Sequence, residues 1–280
     1  MSHLRKLFHG PSGPENRARA AAVTLPETTG DISGVATAGL VLPEFAVEEA
    51  RFGPEHRIVF HTDPRSAAAD RYRLLRMRLK EPWKAGKLKK LLVTGPVAGE
   101  GKSTVTLNLA TALSERGKHT VLVVDADLHS SSVSERLKLR PWSGLTDCLA
   151  DESRQPLSSV RRIDPFGWYL LPCGEPCKNP TELLQTPAFG HIMKQLSSWF
   201  DWILIDSPPV VPLTDSISLQ QHVDATLLVV RAGRTPREAV ERTVELLGQK
   251  NILGIVLNGV EIRDRIYSQY YDDSRRYSDD

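Results

Sequence analysis

Lys102, Ser103, Asp125, Asp127 and Asp206 are the residues whose types and surroundings suit phosphoryl chemistry. Ala98-Gly99-Glu100-Gly101-Lys102-Ser103-Thr104 follows an apolar run, Leu91-Leu92-Val93, and precedes a helical pattern from Val105. Strand, glycine turn and helix in that order make a phosphate cradle: backbone N–H groups and a helix N-terminus converge on one anion. Lys102 would reach the β- and γ-phosphates, and Ser103 would place its hydroxyl on Mg²⁺. The spacing Gly-x4-Gly-Lys is missed by one residue, because Pro96 stands at the first glycine position and Gly95 precedes it. Asp206 closes the apolar run Trp202 to Ile205, where a carboxylate suits holding the metal directly or through water. Asp125 and Asp127 close another run, His119 to Val124; there Asp125 suits metal binding or activation of an incoming hydroxyl, with Asp127 in support. A tyrosine phenol, with a pKa of ~10, is neutral near pH 7 and benefits from such a base.

These residues need a scaffold, and the pattern supplies one. Helices are expected from Pro64 to Leu79, Ser103 to Arg116, Ser143 to Asp151, Asn179 to Leu184, Pro187 to Phe200, Leu213 to Gln221 and Pro236 to Gln249. Strands are expected at Leu91 to Thr94, His119 to Val124, Trp168 to Pro172, Trp202 to Asp206, Ala225 to Val230 and Ile252 to Leu257, with a short one at Arg57 to Phe60. Alternating strands and helices predict an α/β fold, a doubly wound, mostly parallel sheet flanked by helices. Continuous apolarity from Trp202 to Ile205 means burial on both faces. The loop strand, its helix and the Asp125 strand read as one β-α-β unit, putting both aspartate-bearing ends beside the loop. The helix after Pro64 carries Arg71, Arg73, Arg76, Arg78 and Lys80 opposite its apolar face, a pattern for a membrane surface, a partner or plain solvent.

Three regions follow from composition. Residues 1–56, punctuated by prolines and lacking a period, are expected to be a disordered leader; 57–262 form the catalytic domain; 263–280 form a flexible tail. That tail holds Tyr267, Tyr270, Tyr271 and Tyr277 among polar residues, where no core can use them. They read as phosphoryl acceptors, the plain alternative being a sticky segment that docks on a partner. The net charge of +2 argues against nucleic acid as a partner. The three cysteines make neither a disulfide framework nor a zinc site, and no apolar run approaches the ~18 residues of a membrane span. A soluble, intracellular protein is expected.

The motifs together resemble the bacterial tyrosine kinases of capsule and exopolysaccharide systems, a branch of the deviant P-loop ATPases that includes Min- and Par-type partition ATPases. The resemblance rests on Thr94 to Asn108, Val121 to Leu128 and Ile203 to Pro209. Leu228 to Pro236, Gly254 to Gly259, Leu170 to Gly174 and Asn179-Pro180 add to it. Partition ATPases usually carry a lysine five positions before the loop lysine; Val97 stands there, favouring the kinase branch. Two departures stand out. His129, Ser130 and Ser131 follow Leu128 where the kinases continue Arg-Arg-Pro, and Asp70-x-x-Arg73 replaces Glu-x-x-Arg in the subunit-contact helix.

The resemblance implies a P-loop NTPase-type fold and an ATP- and Mg²⁺-dependent protein tyrosine kinase that autophosphorylates its tail. It implies a ring-like homo-oligomer working in trans through Asp70 and Arg73, with Asn258 near the adenine. It further implies a separate membrane-anchored polysaccharide co-polymerase-type activator, a protein tyrosine phosphatase, and a cytoplasmic location at the inner face of the membrane. A partition-type ATPase switch and an ATP-sensing scaffold are the alternatives.

Overall fold

The computed structural model describes residues 43–49, 53, 56–130, 132–139 and 143–260; the tail tyrosines lie outside them. In chain order the elements are β1 (Ala46–Glu49), α1 (Val59–Thr62), α2 (Ala67–Lys84), β2 (Lys90–Thr94), α3 (Lys102–Ser114), β3 (Val121–Asp125) and α4 (Ser132–Arg136). They continue with α5 (Leu145–Ala150), β4 (Arg161–Asp164), β5 (Trp168–Leu171), α6 (Pro180–Leu184), α7 (Pro187–Leu196) and β6 (Trp202–Asp206). The last are α8 (Asp215–Gln220), β7 (Ala225–Arg231), α9 (Arg237–Leu247) and β8 (Ile252–Asn258).

Among the described residues these strands form one eight-stranded sheet in the order β1-β4-β5-β3-β6-β2-β7-β8. Every neighbouring pair is parallel except β4 and β5. The period-2 alternation of side chains sorts the strand residues between two cores. Leu91, Val93, Val121, Val123 and Leu204 face the core of α2 and α3, joined by Leu79, Val105 and Leu109. Leu92, Leu122, Val124, Ile203 and Ile205 face the opposite core, where Leu145, Leu184, Phe189 and Ile192 pack against them. Covering both faces explains why these strands read as unbroken apolar runs. Each fully buried aliphatic side chain contributes ~1.5–3 kcal/mol, so the central strands dominate the stability of the scaffold.

The expected β-α-β unit needs one correction. β2 and β3, consecutive in the chain, are not neighbours in the sheet, because β6 lies between them and pairs with both. Three further differences concern local structure. Arg57 to Phe60, expected as a strand, contributes instead to α1, whose first backbone N–H, that of Val59, is taken by the Asn108 side chain at 2.8 Å. Ala46–Glu49, inside the stretch expected to be unstructured, pairs with β4 as an edge strand. The antiparallel strand β4 was also not anticipated; its residues Arg161–Asp164 mix charge with one buried isoleucine.

α2 starts at Ser66, whose hydroxyl accepts the Ala69 N–H at 3.2 Å, with Pro64 lying just before it. Part of its basic face is spent inside the protein. Arg76 donates to the Ala112 carbonyl at 3.2 Å, and Arg76 and Lys80 both pair with Glu115 at the end of α3. Those two cations therefore brace α2 on α3 and do not await a membrane.

Candidate functional site: a phosphate loop and two buried carboxylates

The loop from Gly95 to Gly101 leaves the carboxyl end of β2 and enters α3. Gly99 and Gly101 both have positive φ, 81° and 87°, the region that favours glycine. At Gly101 a methyl group would also strike the Asn258 side-chain amide. That amide donates to the Glu100 carbonyl at 2.7 Å, and Arg231 donates to the Gly99 carbonyl at 2.9 Å. Thr235 adds a bond to Glu100 Oε1 at 2.8 Å. The Glu100 side chain is thus buried beneath the loop, with burial raising its pKa, and bonds from Thr235 and the Val97 backbone opposing the rise. The ends of β7 and β8 clamp the loop into shape. Asn258, expected near the adenine, has its amide on the loop backbone.

Ser103 and Thr106, one turn apart on α3, both donate to Asp206, to Oδ2 at 2.6 Å and to Oδ1 at 2.7 Å. Asp206 is fully buried, and burial pushes its pKa up; the bonds from Ser103 and Thr106 and the Lys102 charge pull it back. Lys102 is buried at the first position of α3. Asp125 sits opposite Asp206 in the β3–β6 register and is equally buried. Its Oδ2 takes both the N–H and the hydroxyl of Ser134, at 3.1 and 2.9 Å. Its Oδ1 is buried with no hydrogen-bond partner. Burial above all, then the Asp206 charge, push its pKa up to about 7. Asp127 is nearly buried and accepts the Ser130 N–H at 3.2 Å.

The structure therefore brings Lys102, Ser103, Asp125, Asp127 and Asp206 to the carboxyl ends of three adjacent strands, with Ala98, Gly99, Glu100 and Thr104 in the loop and first turn. Asp70 and Arg73 lie on α2 and bond each other at 2.6 Å, Arg73 also reaching the Pro64 carbonyl.

Three residues at the site, Thr106, Ser134 and Arg136, were not singled out from sequence. Thr106 was legible in principle, since it stands three positions after Ser103 on the same helical face. Ser134 and Arg136 were not: Arg136 Nη1 donates to Thr104 Oγ1 at 2.8 Å across a separation of 32 residues. His129, standing where the resemblance led one to expect arginine, places Nε2 2.7 Å from Oδ2 of the fully buried Asp215.

A parallel sheet carrying a glycine-rich loop, an invading helix and carboxylates at the strand ends defines a P-loop nucleotide-binding protein. Residues 91–277 match the CobQ/CobB/MinD/ParA nucleotide binding domain. The chain is 27% identical over 219 residues to the tyrosine-protein kinase YwqD of Bacillus subtilis, covering 78% of this chain and 92% of that one. It is 34% identical over 194 residues to CpsD of Streptococcus agalactiae, covering 66% of this chain and 82% of that one. It is 31% identical over 210 residues to Wzc of Salmonella typhi, covering 74% of this chain but only 29% of that longer protein. Among solved structures, the kinase domain of the Escherichia coli tyrosine kinase ETK superposes with a TM-score of 0.69 at 25% identity, covering 74% of this chain and 81% of that one. The chain belongs to the bacterial tyrosine-kinase family, within the CobQ/CobB/MinD/ParA nucleotide-binding group.

Proposed function

We propose that this protein transfers the γ-phosphoryl group of ATP to tyrosine hydroxyls, chiefly Tyr267, Tyr270, Tyr271 and Tyr277 of its own tail, and that this tunes exopolysaccharide or capsule synthesis. The observation that carries the reading is the buried Asp125 Oδ1, left without a partner beside Asp206, the carboxylate that Ser103 of the loop helix bonds. A buried, unpaired carboxylate oxygen is costly, and a cation or an incoming proton relieves it.

The residues present fit Mg²⁺. Among the described residues no group of three or more His, Cys, Asp or Glu side chains is set to hold a metal by itself. Mg²⁺ does not require one, since it commonly takes one or two carboxylates plus phosphate oxygens and water. Ser103, Asp125 and Asp206 would hold it, and it would supply neutralisation of charge on the β- and γ-phosphates.

The chain's own groups do the rest. The loop amides from Ala98 to Thr104 bind the phosphates, and Lys102 pairs with the charge of the transferring group. A tyrosine hydroxyl forms the new P–O bond while the bond to the β-phosphate oxygen breaks. The phenolic proton passes to a strand-end carboxylate, Asp125 with Asp127 in support. The tail reaches the site of a neighbouring copy in a ring-like homo-oligomer, with the Asp70–Arg73 face of α2 at the subunit contact. No helix among the described residues is long and apolar enough to cross a membrane. In this reading, which follows the family resemblance, a separate membrane-anchored activator recruits the cytoplasmic kinase to the inner membrane face, and a tyrosine phosphatase reverses the reaction.

The test is phosphotyrosine blotting of the purified chain with Mg-ATP, alone and with its activator co-expressed, against Lys102→Met. Wild type should label and the variant should not. ATP hydrolysis without phosphotyrosine under both conditions would replace the kinase reading by an ATPase switch.

A further inference from the structure

We propose that Arg136 is a second cationic phosphate ligand, its guanidinium gripping the α/β-diphosphate portion of the bound nucleotide. The inference rests on the reading of residues 98–104 as the phosphate cradle, and it assigns a residue to that site which neither the motifs nor the family match single out.

The argument begins with α4. This short helix follows the aspartate-bearing end of β3 and is tied down by Ser134, whose N–H and hydroxyl both bond Asp125 Oδ2. Anchored there, α4 directs its last residue at the first turn of α3, where Arg136 Nη1 meets Thr104 Oγ1 at 2.8 Å. Thr104 is the third residue of α3, in the turn whose free N–H groups face a bound phosphate. A guanidinium carries five N–H donors in a planar fork, and Thr104 accepts from one of them.

The electrostatic setting points the same way. Cations are favoured at helix C-termini and disfavoured at N-termini. Here Lys102 and the half-buried Arg136 converge on the N-terminal turn of a 13-residue helix. Burial works against the Arg136 charge, as does the nearby Arg57 guanidinium, while Asp206 supports it. Desolvated positive groups gathered at a positive helix end are an arrangement that an anion stabilises. The lysine of such loops reaches the β- and γ-phosphates, whereas the backbone amides cradle α and β. Arg136, docked on the helix turn beyond the lysine, belongs with the α/β pair.

Binding of ADP and ATP to the full chain, measured by calorimetry for wild type, Arg136→Ala, Arg136→Lys and Arg136→Gln, tests this. Removing one charge-assisted phosphate contact should weaken ADP and ATP by the same factor, about tenfold or more, in Arg136→Ala. Lys should recover part of the loss. Gln keeps a donor for Thr104 without the charge, so it should fold as wild type yet bind as weakly as Ala. If Gln binds ADP as wild type does, Arg136 only braces Thr104 and the proposal is wrong. A loss confined to ATP places the group at the γ-phosphate and overturns the α/β assignment. Wild type failing to bind ADP would overturn the phosphate-cradle reading along with this one, whereas normal binding by Arg136→Ala overturns this inference alone.

Discussion

Asp125 and Asp206 are register partners across the β3–β6 ladder, both fully buried, yet only one has each of its carboxylate oxygens met by a hydroxyl. Asp206 receives Ser103 and Thr106 on its two oxygens, whereas Asp125 receives Ser134 on Oδ2 and has no partner on Oδ1. Like charges side by side in a dry site disfavour double ionisation. The asymmetry of donors makes Asp125 the member that holds a proton more readily.

That proton gives a stability signature. The Asp125 carboxyl is pushed up to about 7 in the folded protein, while an unfolded aspartate titrates near ~3.9. Between those values the folded state retains a proton that the unfolded state has released, so this group's contribution falls as pH rises and levels off above ~7. Asp125→Asn removes the loss. Nucleotide-free Asp125→Asn should exceed wild type by up to ~4 kcal/mol near pH ~8 and converge with it near pH ~4, as read by thermal unfolding across that range. A gain that grows toward acid would contradict the assignment.

Thr106 should matter beyond its place in the helix. Its hydroxyl is buried and reaches Asp206 Oδ1 at 2.7 Å. Thr106→Val keeps the shape but withdraws that donor from a buried carboxylate, a change costing ~1–3 kcal/mol. Urea unfolding should show a lower midpoint with an unchanged slope, and Ser→Ala at exposed Ser158 should show no such effect.

Gly101→Ala meets two obstacles at once, a φ of 87° and the Asn258 amide. The strained backbone alone costs ~1–2 kcal/mol, and relief by pushing Asn258 away breaks its bond to the Glu100 carbonyl. Nucleotide affinity should drop at least tenfold in titration calorimetry, with a lower melting temperature. Wild-type affinity would mean the loop conformation is not the binding one.

Removing residues 262–280 separates acceptor from engine. The truncated chain should bind nucleotide with wild-type affinity and give no phosphotyrosine signal on its own. Undiminished labelling, mapped by mass spectrometry to tyrosines of the remaining domain, would move the acceptors out of the tail.

Much of this was written in local sequence. Glycines at the loop, a lysine and serine after them, and aspartates closing apolar runs are properties of single stretches, because phosphate binding needs contiguous backbone and strand burial needs contiguous apolarity. Those stretches also carried the family resemblance. What adjoins what was decided only by the tertiary fold. The chain order suggested that the Asp125 strand lies beside the loop strand, but β6 sits between them, its apolar side chains covered on both faces. That insertion makes Asp206 the neighbour of both Val93 and Asp125. The pairs Arg136–Thr104, Ser134–Asp125 and His129–Asp215 likewise join separate segments. Residue types and periodicity fixed most of the long elements, whereas the short segments Ala46–Glu49 and Val59–Thr62 took their form from packing. Only packing fixes which side chains meet, because a hydrogen bond needs ångström proximity that no one-dimensional spacing encodes.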